Sequence, residues 1–448
     1  IVALATAPAI AAIGVIRLSG DQSFNIVAKL FKGKNLNEVP SHSIHFGSLR
    51  DEDQILDEVL VSVFKGPKSY TGEDVIEISC HGSPYIQQKI IESLVKNGAR
   101  LAEPGEFTLR AFLNRKLDLT QAEAVADLIA SDSSAALKTA MNQMRGGFGE
   151  TIKKLREELI HFASLVELEL DFSEEDVEFA DRSQLKILIE RIIKVCSDLI
   201  ISFQSGNVIR NGIPTVIAGR PNAGKSTLLN ALLNEERAIV SEIAGTTRDT
   251  IEEAIQIKGI NFRFIDTAGI RSEADSEIEK IGIERTFKKA AGAELVLYLF
   301  DINTQSKEEV LAESKLLRSD NKRLLLVANK CDQSSIVQDK SDWEGEEIVF
   351  ISAKEKNIES LINYLASIAN ENLGKSDQTL ISNVRHLSSL QETVKHLEEV
   401  IRGMDMGLSG DLLAEDIRGA LYQLGLITGE ISTDDLLENI FTKFCIGK

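Results

Sequence analysis

Apolar residues change their period three times along this chain. In the first 115 residues they come in short runs. EVLVSVFKG (58–66) and DVIEISCHG (74–82) are β-rich and bounded by glycine, while YIQQKIIESLVKNGA (85–99) repeats at helical spacing and stops at glycine. The opening stretch IVALATAPAIAAIGVIRLSG breaks at Pro8 and Gly14 and lacks a basic leader region, which predicts two strands rather than a signal peptide. Residues 1–117 are expected to form an α/β domain. From Leu119 to about Gly206 glycine thins out and apolar residues fall three and four apart. TQAEAVADLIASDSSAALKTAMNQM and IKKLREELIHFASLVELEL predict long amphipathic helices, and 118–210 a bundle. Residues 211–372 return to alternating strands and helices, as in a parallel sheet, and 373–448 are helical again. Two helical stretches around an α/β segment predict one bundle interrupted by an inserted domain. The acidic stretch DFSEEDVEF (171–179) is expected to be a solvated loop between helices rather than a metal site.

Composition adds limits. The 448 residues are enough for about two to four domains. With 50 basic and 69 acidic residues the net charge is −19, a field that repels polyanions, so nucleic-acid binding needs a local basic patch or a partner. No apolar run reaches the length of a membrane span. Cys80, Cys196, Cys331 and Cys445 are scattered without a CxxC pair, which favours a reducing cytoplasm and disfavours disulfides or zinc. The chain does not begin with Met, and a few residues are expected before Ile1.

One stretch carries chemistry outright. IPTVIAGRPNAGKSTLLNALL holds Gly219-x4-Gly224-Lys225-Ser226 between an apolar strand and a helix, which is the setting a phosphate-binding loop requires. Asn222, Ala223, Gly224 and Thr227 offer backbone N–H groups, Lys225 a cation for the β/γ-phosphates, and Ser226 a hydroxyl for Mg²⁺. Downstream, FRFIDTAGI places Asp266, Thr267, Ala268 and Gly269 at a strand end, within reach of Mg²⁺ and the γ-phosphate. LLLVANKCD supplies Asn329, Lys330 and Asp332. A carboxylate at Asp332 accepts from guanine N1–H and the exocyclic amine, which adenine cannot offer. IVFISAK supplies Ser352 and Ala353, whose backbone can meet guanine O6. The ordered set points to GTP rather than ATP. SEIAGTTRDT, with Ser241, Glu242, Ile243, Ala244, Gly245, Thr246 and Thr247, lies where a first switch belongs. Ile270 stands where a Ras-like enzyme has its water-positioning Gln, so the catalytic group must come from elsewhere; Glu273, Glu277, Glu279 and Glu284 follow.

GRPNAGKST, AGTTRD, DTAGIR, EKIGIER, GEFTLRAFLNRKLDLTQAEAVADLI and the terminal FCIGK together resemble the MnmE (TrmE) family of tRNA-modifying GTPases along the full chain. The resemblance implies a folate-binding, dimerising N-terminal domain (1–117), a helical domain (118–210 and 373–448) and an inserted Ras-like P-loop GTPase domain (211–372). It implies that Asn222, Ser241, Ile243 and Thr246 surround K⁺, which drives G-domain dimerisation and takes the place of an arginine finger. Ser226 and Thr247 would hold Mg²⁺, and Glu279 would orient the attacking water. The spacing between DTAG and Glu279 differs from the family pattern, so that assignment rests on aligning EKIGIER. Arg248 and Asp249 would reshape with the switch. Arg17, Glu77 and Lys116 would contact 5-formyl- or 5,10-methylene-tetrahydrofolate, with Lys448 reaching across a homodimer. The family works as a heterotetramer with a MnmG/GidA-type, FAD-carrying flavoprotein on the wobble uridine of tRNA, and the partner is expected to supply most of the tRNA grip. Cys445 is not a prenylation site, because Gly447 stands where a second aliphatic residue is needed and the chain ends in Lys448. The match places it instead near the one-carbon chemistry, with a buried structural thiol as the alternative.

Overall fold

A computed structural model describes residues 1–171, 181–235, 253–265, 293–318, 322–333, 343, 345–373, 380–408 and 410–447. Contacts group the chain into two units. One comprises Ile1–Ala126, Asn142–Lys194 and Ser389–Lys448, the other Asp127–Met141 and Val195–Ser388.

The first unit opens with β1 (Val2–Leu4), β2 (Ile13–Ser19), α1 (Ser23–Leu30), β3 (Phe31–Lys32), β4 (Ser43–Asp51), β5 (Gln54–Phe64), β6 (Val75–His81) and α2 (Pro84–Lys96). Its strands form an antiparallel sheet of order β1-β2-β6-β5-β4-β3. Strand alternation sorts its two faces. Ile16, Leu18, Val59, Val61, Val63, Ile76 and Ile78 point inward, where Phe24 and Val27 of α1 and Ile90 and Leu94 of α2 close the core. The opposite face carries Arg17 beside Glu77, and Phe46 beside Leu60. Ile44 and Phe46 stand 65% and 66% exposed there, so the β4–β5 side of this face is apolar and open among the described residues.

The helices follow: α3 (Glu106–Leu113), α4 (Leu119–Ala130), α5 (Ser134–Met144), α6 (Gly147–Asp171) and α7 (Arg182–Asn211). The sequence predicts one helix through 120–144, but the structure breaks it. Ser131 Oγ donates back to the Asp127 carbonyl at 2.7 Å, and Ser133 Oγ accepts from the Ala136 N–H at 3.1 Å, opening α5. Short hydroxyl side chains compete for backbone groups and favour caps over helix interiors, and here that local competition overrides the apolar period. Most of the acidic stretch 171–179 lies outside the described residues.

The second unit holds β7 (Ile213–Ala218), α8 (Lys225–Glu235), β8 (Glu253–Ile257), β9 (Ile260–Phe264), β10 (Leu295–Asp301), α9 (Lys307–Lys315), β11 (Arg323–Asn329), β12 (Ile348–Phe350) and α10 (Glu359–Leu373). Its sheet runs β12-β11-β10-β7-β9-β8, parallel except for the β8–β9 hairpin. That hairpin turns on Lys258 and Gly259, both at positive φ (52° and 84°), as a tight two-residue turn demands. Both sheet faces are covered, so β10 reads LVLYLF without a polar break. Leu295, Leu297 and Leu299 enter one core, and Val296, Tyr298 and Phe300 the other. Because the strand order reverses at β7, the loop after it stands at the sheet's carboxyl edge, the switch point where folds of this kind bind ligands.

The chain ends in α11 (Val384–Asp405), α12 (Gly410–Thr428) and α13 (Asp434–Phe441), close to the helical runs the sequence predicts. In the first unit α12 meets α6, where Arg156 donates to the Leu421 carbonyl at 3.3 Å and pairs with Glu430. Phe441 and Phe444 pack on Leu119 and Ala122 of α4.

Candidate functional site: a nucleotide cleft and a cationic sheet face

The loop after β7 has the backbone that phosphate binding needs. Gly219, Asn222 and Gly224 all lie at positive φ (151°, 62° and 100°). A Cβ on Gly219 would lie 2.0 Å from the Leu299 carbonyl oxygen, and one on Gly224 would lie 2.4 Å from Asn329 Nδ2, so neither position admits a side chain. Lys225 is buried, and its Nζ donates to the carbonyls of Gly219 (2.9 Å) and Arg220 (3.0 Å). Ser226 follows it, half-buried, in the first turn of α8, where the helix's positive end faces the loop. Asn222 and Thr227 are exposed and Ala223 is buried.

Asn329 joins three loops. Its Nδ2 donates to the Ala223 carbonyl at 2.8 Å and its Oδ1 accepts from the Ala353 N–H at 3.0 Å, while the residue is 2% exposed. The sequence reading offers the backbone of Ser352 and Ala353 to guanine O6; in the structure the Ala353 N–H donates to Asn329 Oδ1. Lys330, at φ 62°, pairs with Asp301 at 2.8 Å. Burial works against ionisation of Asp301, but Lys330 and the Asn303 amides hold its carboxyl below the usual range. Asp332 accepts from Ser352 Oγ at 2.6 Å, and that hydrogen bond lowers its pKa. The carboxylate therefore gives up its charge at a lower pH than an ordinary Asp. Ser352→Ala should shift the acid limit of GTP affinity upward, as read by GTP titrations between pH 4 and 7. Superimposable profiles would show that Ser352 does not set the charge of Asp332.

Ser241, Glu242, Ile243, Ala244, Gly245, Thr246 and Thr247 lie outside the described residues, as do Asp266, Thr267, Ala268, Gly269 and Glu279. The structure thus brings residues 219–226 together with the 329–332 and 352–353 loops. Sequence reasoning missed Asp301, although it closes the apolar strand LVLYLFD as Asn329 closes LLLVAN. It also missed Arg220, Glu309, Glu313 and Tyr298.

A second cluster occupies the open sheet face of the first unit. Arg17 and Glu77 sit opposite each other on β2 and β6, with Arg17 Nε donating to Glu77 Oε1 at 2.8 Å. The guanidinium lies 5.4 Å from the Tyr70 ring centre and 5.8 Å from that of Phe107. It also donates to the Gly447 carbonyl at 3.4 Å, which fastens the CIGK tail to the same cluster. Lys116 is exposed and donates to the Pro67 carbonyl at 3.1 Å. Lys448 is outside the described residues. Cys445 is exposed, so the buried-thiol alternative fits Cys80 and Cys196 instead, where burial pushes the thiols up to about 11 and about 12. Among the described residues no helix is long and apolar enough to cross a membrane, and no three His, Cys, Asp or Glu side chains cluster as metal ligands.

Two family models cover almost the whole chain. One, described as GTP-binding protein TrmE N-terminus, matches residues 1–116, and one described as MnmE helical domain matches residues 119–445. The tRNA modification GTPase MnmE of Cytophaga hutchinsonii is 58% identical over 451 residues, covering 100% of this chain and 97% of the relative. The protein of the same name from Flavobacterium johnsoniae is 55% identical over 461 residues, covering 100% and 99%. That from Bacteroides fragilis is 48% identical over 462 residues, again covering 100% and 99%. Matched from end to end by relatives about half or more identical to it, the chain belongs to the MnmE (TrmE) family of tRNA modification GTPases.

Proposed function

We propose that this chain is a K⁺-activated GTP hydrolase acting in tRNA modification. With an FAD-carrying, MnmG/GidA-type flavoprotein it adds an aminomethyl or carboxymethylaminomethyl group to C5 of the wobble uridine, using a one-carbon unit from tetrahydrofolate. The observation that carries the reading is the convergence of Lys225, Asn329 and Asp332 at the carboxyl edge of one parallel sheet, in a chain aligned end to end with MnmE proteins. Residues 1–117 serve as the folate-binding and dimerising domain. Residues 118–210 and 373–448 form the helical domain around an inserted GTPase domain at 211–372.

Lys225 exchanges its two carbonyl partners for phosphate oxygens. Asp332, held by Ser352, accepts the guanine N–H groups. Asn329 keeps the phosphate loop and the 353 amide in register. The Ser226 hydroxyl at the start of α8 fits an oxygen-ligated Mg²⁺, shared with Thr247, which would neutralise charge on the β/γ-phosphates. Asn222, exposed at φ 62°, fits a K⁺ site completed by Ser241, Ile243 and Thr246, whose cation would stand in for an arginine finger. Glu279 orients the attacking water.

On the sheet face, Arg17 between two aromatic rings fits a planar, anionic ligand such as folate, with Glu77, Lys116 and Lys448 completing its contacts and Cys445 close by on the tail. Bound there, folate would supply the one-carbon unit. The exposed Ile44, Phe46 and Leu60 support a homodimer through the same face. The net charge of −19 supports a heterotetramer in which the flavoprotein supplies most of the tRNA grip.

Hydrolysis rates in K⁺ and Na⁺ buffers of equal ionic strength test this. K⁺ should stimulate on the order of tenfold, and Glu279→Ala should lose the stimulation while still binding GTP. Equal rates in the two salts would remove the K⁺ mechanism and leave the GTP site standing.

A further inference from the structure

Arg220 is the second residue of the phosphate loop, and its backbone and side chain face opposite ways. Its carbonyl accepts from Lys225 Nζ at 3.0 Å, inside the loop. Its guanidinium leaves the loop for α9. Nε donates to Glu313 Oε1 at 2.8 Å, and the terminal nitrogen reaches both that oxygen and Glu309 Oε1, the latter at 3.2 Å. Both carboxylates are held from behind. The Tyr298 hydroxyl on β10 donates to the other oxygen of Glu313, and the Ser306 N–H donates to the other oxygen of Glu309 at 3.0 Å, closing the capping box that starts α9.

A surface ion pair between a loop and a helix usually does little. Three features set this one apart. The acceptors are fixed before Arg220 arrives, and one guanidinium bridges two of them. In addition, the neighbouring Pro221 and Asn222 are exposed, so the Arg220 side chain shares with the Asn329–Ala223 hydrogen bond the fastening of this segment to the rest of the unit. Gly219 on its other side is pressed against the Leu299 carbonyl and cannot yield.

We propose that Arg220 is a positioning residue for nucleotide binding. Clamped to α9 and β10, it holds the loop open at the curvature that a nucleoside di- or triphosphate needs, and it fixes the carbonyl on which Lys225 waits. The inference rests on the phosphate-loop reading of 219–226. A loop already ordered binds without the cost of ordering it, so its release should appear as lost affinity.

The test is equilibrium titration of the full-length protein with a fluorescent GDP analogue, alongside thermal unfolding without nucleotide. Arg220→Ala should raise the Kd about five- to tenfold. Arg220→Lys should restore only part, because an ammonium cannot bridge two carboxylates as a guanidinium does. Adding Glu313→Gln to Arg220→Ala should cost nothing further, since both remove one contact. A folded Arg220→Ala protein with a Kd within twofold of wild type, or a lowered melting point with unchanged affinity, overturns the proposal. Additive losses in the double variant overturn it as well. Lys225→Ala, run alongside, should lose binding. Undiminished GDP binding there would overturn the phosphate-loop reading, and this inference with it.

Discussion

Asp332→Asn should weaken GTP binding about 100- to 1,000-fold and make the protein prefer xanthosine triphosphate. The Asp332 carboxylate presents two acceptors, and guanine presents two donors, N1–H and the exocyclic amine. An amide keeps one acceptor and turns the other into a donor, so one charge-assisted hydrogen bond is lost and one donor faces another. Such bonds contribute about 1.5–3 kcal/mol each, and a mismatched polar group in a site built for hydrogen bonding discriminates more strongly still. Xanthine carries an oxygen where guanine has its amine, and the new Asn donor matches it. The Ser352 hydroxyl, 2.6 Å from the carboxylate, fixes which way the fork points. Competition titrations of GTP and xanthosine triphosphate against a fluorescent nucleotide read the result. An Asp332→Asn protein that still prefers GTP would take Asp332 away from the base.

The second large effect belongs to Asn329. Asn329→Ala removes two hydrogen bonds at once and strands the Ala223 carbonyl and the Ala353 N–H, both belonging to residues no more than 3% exposed. A buried polar group left unsatisfied costs about 1–3 kcal/mol, so the pair amounts to roughly 2–6 kcal/mol. That is a large part of the stability of an ordinary domain. The urea midpoint of the transition that reports on Trp343, which lies against Phe300 in the second unit, should fall accordingly. Nucleotide affinity should fall with it, because the phosphate loop and the 353 loop would no longer share a joint. Unchanged stability would mean that the neighbouring loops satisfy each other without Asn329.

The difference between Asp332 and Asn329 shows what was legible in the sequence. Asp332 is proposed to act on the ligand, and its motif, strand and order point to it. Asn329 acts on the protein. Its partners lie 106 and 24 residues away, and only the register of β7, β10 and β11 brings them together. The same holds for Arg220, whose acceptors on α9 follow about 90 residues later. The glycines were readable because each marks a local backbone demand, and Gly219 and Gly224 do sit at positive φ. The two strands of the opening stretch and the helices of the tail were readable from period, although Gly14, expected as a break, lies inside β2 and pairs with Cys80. Strand β4 was not, since SIHFGSLRD turns Ile44 and Phe46 outward and breaks the usual sorting of apolar inside from polar outside. The break between α4 and α5 escaped for the opposite reason. There the apolar period continues, but Ser131 and Ser133 settle the backbone locally.

The resting place of Lys225 bears on which anions this loop admits. With its ammonium bonded to two neutral carbonyls, Lys225 keeps its positive charge but holds it at a fixed place in the loop. An arriving group that takes these donors gives up two short contacts in exchange. Inorganic phosphate or sulfate brings one tetrahedron and no further anchor. On the proposed reading, a nucleoside triphosphate brings three linked phosphates and a base for Asp332, so the lysine would be released within an encounter already tethered at its other end. The loop thereby discriminates by how many hands the visitor has, as well as by its charge.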